Sequence, residues 1–290
     1  MSIPKPSKVP AEQLRSARVE AALERAITAG DTVELFEQLR RNSGLPGPRA
    51  NWEFARAAGL AIAAYGVRAD PLVRAFSSSP DEFQKILAAI ALAARSVAGI
   101  DGAAALATLQ ILGEDPHHLV RGGVAEALRV RIRALGQPAI DELAGWTDGY
   151  LQASVALAAL ADRDLLAQLP TSAGPSVLAR LDEAFHLADA SPRAAERSQG
   201  VRTLRQELPA QIVVFAGRWS ETIDWLEQAA LAKRPETREV MEKVLSAVRK
   251  SVISDAAAKR LFDAFDANAP VRRDADRVVQ GTRNRSKGRR

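Results

Sequence analysis

Lys85, Arg121, Arg197 and Arg273 each stand five residues after a turn marker (Pro80, Pro116, Pro192 and Asn268), and Arg238 holds nearly the same place after Pro235. That spacing admits two chemistries. On an exposed face the cations would form a column able to contact phosphates or acidic side chains. Between packed repeats the same cations would bridge one repeat to the next as a ladder of polar contacts. Charge distribution favours the ladder. Eight basic and two acidic residues lie from Val271 to Arg290, a balance of +6. Removing them from the 40 basic and 35 acidic residues of the chain leaves 32 and 33, so the body carries −1. The high pI of about 9.8 therefore describes a tail and not a binding face.

Other chemistries find little support. The chain has three histidines and no cysteine, which rules out disulfides and thiolate chemistry. His117 and His118 are adjacent, so they cannot share one helix face as an i,i+4 metal pair would, and His186 has no ligand cluster at suitable spacing. No phosphate-cradling glycine loop and no nucleophile elbow occurs. No cofactor and no metal is expected.

The elements that must position the basic column are helices. Ala, Leu, Arg and Glu dominate, and β-branched alternation is almost absent. QIVVF (211–215), between Pro209 and Gly217, is the one run that suggests a strand, and it reads as a buried helical turn. Clusters such as SGLPGP (43–48), SSSPD (77–81), GEDP (113–116) and TSAGP (171–175) punctuate the helices. Ala/Leu/Val-rich helices follow polar turns that start at Pro48, Pro80, Pro116, Asp148, Pro192 and Pro235, with a degenerate seventh at Asn268. The intervals are 32, 36, 32, 44, 43 and 33 residues, and the two long ones mark irregular repeats or longer loops. Each interval leaves room for a second helix, for example 69–76, 102–112, 138–146 and 221–231. In the segment EDPHHLVRGGVAEALRVRI, Val120, Val124, Leu128, Ile132 and Leu135 fall on one face that must be buried. Gly122, Gly123, Ala125 and Ala127 would let neighbouring helices approach closely.

This pattern resembles the HEAT-repeat α-solenoids over roughly residues 30–275. The resemblance implies an all-α fold, a right-handed superhelix of about six to seven degenerate repeats sharing a continuous core. HEAT-like bacterial DNA-alkylation-repair glycosylases, a distant likeness, place aromatic, Asp and basic side chains around a damaged nucleotide. By that likeness Trp146, Asp148 and Arg121, or else Asp224, Trp225 and Arg238, would take those parts. The spacing is not diagnostic, and the neutral body lacks the basic groove of a DNA-wrapping protein.

The expected organisation is an extended Pro-rich leader (1–10), a solenoid (11–273) opening with a helix over about 11–29 and a second after the Asp31–Thr32 cap, and a disordered Arg-rich tail (274–290). No apolar stretch follows the basic N-terminus and none reaches membrane-spanning length, so a cytoplasmic protein is expected. The primary functional expectation is a non-enzymatic scaffold that binds a protein partner on its concave face, through Trp52, Arg56, Lys85, Arg121, Arg197 and Arg238. The tail residues Arg283, Arg285, Lys287, Arg289 and Arg290 would act as an accessory tether to DNA, RNA or an acidic surface. They lack interleaved aromatics, so base stacking is not indicated. The alternative is a nucleic-acid-binding protein, at its sharpest a glycosylase acting on alkylated bases.

Overall fold

Polar turn residues start most of these helices, as the sequence predicts. The structure, a computed structural model, describes residues 11–269 apart from Pro48, Lys233, Val252 and Ile253. The leader, the seventh repeat beyond Ala269 (Arg273 included) and the tail expected from sequence lie outside the described residues. Among those described, the chain is helical and has no strand. α1 (Ala11–Ala29) ends at Gly30, whose φ of +72° suits glycine, and α2 (Val33–Asn42) returns beside it. The carboxylate of Asp31, and not Thr32, accepts from the Val33 N–H at 3.2 Å. α3 (Trp52–Ala64) is capped by Asn51, which accepts from the Phe54 N–H. α4 (Asp70–Ser77) leads to α5 (Glu82–Val97), capped by Asp81 on the Gln84 N–H at 2.9 Å. α6 (Gly102–Gly113), α7 (His118–Leu135), α8 (Gln137–Asp141) and α9 (Tyr150–Leu160) follow. Then come α10 (Arg163–Gln168), α11 (Gly174–Asp189), α12 (Gln199–Ala216), α13 (Glu221–Ala229), α14 (Pro235–Ser251) and α15 (Asp255–Ala267).

Packing follows chain order. α3, α5, α7, α9, α12 and α14 each rest on the next, forming one row. α4, α6, α8, α11, α13 and α15 lie alongside that row. Contacts run between near neighbours in sequence, the hallmark of a repeat array that buries a shared core. This is an all-α solenoid. α5 joins its two apolar clusters, one running from α1 to α5 and the other from α5 to α15. From Ile86 to Ala91 every side chain of α5 is wholly buried, as a helix apolar on all sides must be. Its alanines, with Gly59 on α3 and Gly123 on α7, let three helices close up. A methyl group on Gly59 would stand 2.7 Å from Ile90 Cβ, and one on Gly123 would stand 2.9 Å from Ile86 Cγ1.

Four departures from the sequence reading have physical causes. The segment after Pro192 is a run of turns, and α12 begins only at Gln199, where Ser198 caps the Val201 N–H. α12 then runs through Pro209. One backbone rung is lost there, but Leu204, Leu208, Ile212 and Phe215 are all buried on one face and hold the helix together. Residues 138–146 form a short helix and a 3-10 turn (Glu142–Trp146) in place of one helix. The 44-residue interval is no departure: it contains the helices α10 and α11, an irregular repeat, which is one of the two readings the sequence allowed. On α7, Val120, Val124, Leu128 and Ile132 are buried, whereas Leu135, in the last turn before Gly136, is 38% exposed.

Candidate partner-binding groove

The basic column can now be placed residue by residue. Lys85 on α5 reaches Asp115, just before α7, with Nζ 2.6 Å from Oδ2. The other carboxylate oxygen of Asp115 accepts from the His117 backbone N–H at 2.9 Å and lies 2.8 Å from His117 Nδ1. Burial pushes the Asp115 carboxyl up, but the Lys85 ammonium and the His117 contacts outweigh it and hold the group below the usual carboxylate range. Arg121 is buried and donates to the carbonyls of Asp115 and Pro116, each at 2.9 Å. Arg238 is also buried. It donates to Phe265 O at 2.9 Å and Asn268 O at 3.1 Å, at the C-terminal end of α15, with its guanidinium 3.9 Å from the Phe265 ring centre. A guanidinium suits such sites, because the last carbonyls of a helix have no intrahelical donor and carry partial negative charge. Arg129 on Ala158 O and Arg218 on Leu166 O and Leu169 O repeat the arrangement. Lys85 and Arg238 thus join one repeat to the next, as a ladder would, whereas Arg121 stays within its own repeat and fastens the turn before α7.

Trp52 and Arg56 do something else. Both stand on α3, and both reach across α5 to α7. The Trp52 ring lies against Gly122, where a methyl group would be 3.1 Å from Cη2. Arg56 Nε donates to Glu126 Oε1 at 2.7 Å, and Arg56 Nη2 is 2.6 Å from the same oxygen. Arg197 is exposed in the turns before α12.

Arg56 also lines a groove of about 560 Å³ that the basic column did not foretell. Glu126, Arg129 and Arg133 come from α7; Asp162, Asp164 and Gln168 come from α10 and its cap. The Glu126 side chain, 5% exposed, is held between Arg56 and Arg129, the latter at 2.7 Å. Asp162 caps α10 through the Leu165 N–H at 2.8 Å and stands 3.6 Å from Arg129 Nε and 3.5 Å from Arg133 Nη2. Three cations therefore face three anions, but not equally. Glu126 and Asp162 are engaged on several sides. Arg56, 44% exposed, and Arg133, with its one long contact, keep N–H donors turned toward solvent. Advance signals of this groove are Arg56 itself and the long interval after Asp148, which carries the extra helix α10.

The residues of the glycosylase likeness do not assemble. Trp146 is 1% exposed and packs in the core beside Gly113, so its ring offers no face to a base. Asp148 is exposed, while Arg121 is buried on its carbonyls. Trp225 is edge-on to Phe185 and donates from Nε1 to Asp182 at 2.9 Å; Asp224 is exposed, and Arg238 is buried over Phe265. Among the described residues no three of His, Cys, Asp or Glu gather as metal ligands. His117 serves Asp115, and His186 Nδ1 is 2.9 Å from Asp182 O. No described helix is long and apolar enough to cross a membrane.

Order of packing and the shared core define the class: a helical-repeat array. No family model matches the chain, and no curated protein sequence matches it. Among solved structures, a designed armadillo repeat protein aligns over 86% of this chain and 99% of its own, at 17% identity and a TM-score of 0.36. An engineered protein aligns over 87% and 97%, at 19% identity and a TM-score of 0.37.

Proposed function

We propose that the chain is a non-catalytic adaptor that binds a partner protein where α3, α7 and α10 meet. One observation carries this reading: the groove exposes two arginines, Arg56 and Arg133, whose anionic neighbours leave donors open. A partner segment laid along the groove supplies acceptors to those donors, and charge-assisted hydrogen bonds of this kind are the strong ones. Exposed Arg197 is an outlying contact. Lys85, Arg121 and Arg238 stiffen the array behind the groove, while Trp52 fixes α3 against α7. The basic tail, with Arg283, Arg285, Lys287, Arg289 and Arg290, is an accessory electrostatic tether to nucleic acid or an acidic surface.

The test places a photocrosslinking amino acid at Gln168, on the groove wall, or at exposed Glu236 on α14 as a control. The expected result is a discrete protein adduct at Gln168, absent at Glu236 and lost on Arg133→Glu. Equal adduct patterns at both positions, insensitive to Arg133, would overturn the groove as the binding site.

A further inference from the structure

Away from the groove, α4, α5 and α6 enclose a hollow of about 370 Å³, within the size range of small-molecule sites. Its floor is apolar, made by Val73, Leu92, Ile100, Ala104 and Ala105. Arg95 stands in its wall with the side chain 4% exposed. Nη2 donates to Asp70 Oδ1 and lies 4.0 Å from Asp101 Oδ2, whereas Nε is buried without a hydrogen-bond partner. Nε of Arg129, Arg180 and Arg205 is buried in the same way, so the accessible cation of the hollow is Arg74, which is exposed and, among the described residues, pairs with no carboxylate.

Asp101 is the unusual feature. It occupies the N-cap of α6, where an aspartate ordinarily accepts from the backbone N–H two or three residues on. Here it makes no such bond. It adopts φ +49°, in the left-handed region that residues other than glycine rarely enter, and its side chain is 67% exposed. The connection thus holds a carboxylate at the mouth of the hollow without using it to cap the helix.

Charges around the hollow balance: Arg74 and Arg95 against Asp70 and Asp101. A lone anion would meet two carboxylates, and a lone cation two guanidiniums. A small zwitterion satisfies both signs. We propose that this hollow binds a free α-amino acid with an aliphatic side chain. The carboxylate pairs with the exposed Arg74 guanidinium, the ammonium with Asp101, and the side chain rests on Val73, Leu92 and Ile100. This site is independent of the groove and of any protein partner.

Titration calorimetry on the full chain tests it, with L-leucine as the probe beside 4-methylpentanoate, which lacks the ammonium, and 3-methylbutylamine, which lacks the carboxylate. Saturable binding of L-leucine is expected, with each half-analogue at least about tenfold weaker, as loss of one charge-assisted pair implies. Asp101→Asn, at an exposed position, should weaken L-leucine at least about tenfold as well, and Ala104→Phe should abolish its binding by filling the hollow. Circular dichroism confirms that both variants are folded. Absence of saturable L-leucine binding overturns the proposal. So does an amine that binds as tightly as L-leucine, which would make the hollow a cation site. Unchanged affinity in Asp101→Asn would place the amino acid elsewhere and also overturn it.

Discussion

Nζ of Lys85 and Oδ2 of Asp115 meet at 2.6 Å across thirty residues of chain, joining the start of α5 to the turn that opens α7. Asp115 is buried and its carboxylate also accepts from the His117 N–H, while Arg121 donates to the successive carbonyls of Asp115 and Pro116. The turn that marks the repeat in sequence is thus a polar clamp in the fold. Removing the Asp115 carboxylate leaves a half-buried ammonium without its partner, so Asp115→Ala should cost about 3 kcal/mol at neutral pH, read by chemical denaturation. The pH dependence has a definite sign. Because folding depresses the Asp115 pKa, its contribution is complete above the ordinary carboxylate value of about 4 and is lost as pH falls through the lower folded value. The stability gap between Asp115→Ala and wild type should therefore be widest near pH 7 and narrow below about pH 4.

Close approach around α5 gives a second prediction. Alanine is the better helix former by about 1 kcal/mol, yet at Gly59 or Gly123 its methyl group would stand within 3 Å of Ile90 or Ile86. Overpacking should win, and Gly59→Ala and Gly123→Ala should each lose about 1–3 kcal/mol. Gly102, in the first turn of α6, has nothing within 4 Å of the same position, so Gly102→Ala should be neutral or mildly stabilising. Opposite signs for the two classes in thermal melts are the check.

In the groove, Glu126 and Arg133 separate architecture from recognition. Glu126→Ala removes the acceptor shared by Arg56 and Arg129 and should cost about 3 kcal/mol. Arg133 holds one 3.5 Å contact, so Arg133→Gln should change stability by less than about 0.5 kcal/mol. It should nonetheless lose most partner binding. If Arg133→Gln unfolds the chain as readily as Glu126→Ala, the arginine belongs to the scaffold and the groove loses its principal contact.

What could be read in advance follows from which interactions leave a periodic trace. Burial does: Val120, Val124, Leu128 and Ile132 announce the inner face of α7 by spacing alone, and turn residues delimit α3, α5, α7 and α14. The basic column left a trace too, but spacing cannot tell a cation that faces solvent from one that faces a carbonyl. Arg121 and Arg56 look alike in sequence; one is spent on Asp115 and Pro116, the other bridges to Glu126, 70 residues away. Pairings across that distance have no periodicity. Trp146 shows the same limit, since an aromatic beside an aspartate reads as a site until the packing of α8 and α9 encloses its ring. Within the long interval, the Asp162 cap and the apolar pair Leu165–Leu166 did mark α10, and reading them as a helix start would have placed Asp162 and Asp164 on its first turn.

The basic tail is open to a separate test, because the body has almost no net charge to contribute. The six cations of residues 274–290 (Arg277 and the five tether residues), neutralising up to six phosphates of a single strand, predict a slope of log K against log salt no steeper than about −4.2. Deleting residues 274–290 should abolish binding of a 20-nucleotide single strand at about 0.15 M salt, since residues 1–270 carry a net charge of −1. Arg133→Gln, by contrast, should leave both affinity and slope unchanged. Binding that survives the deletion but falls on Arg133→Gln would mean the groove between α3, α7 and α10 grips phosphates, and would transfer the nucleic-acid role from the tail to the body.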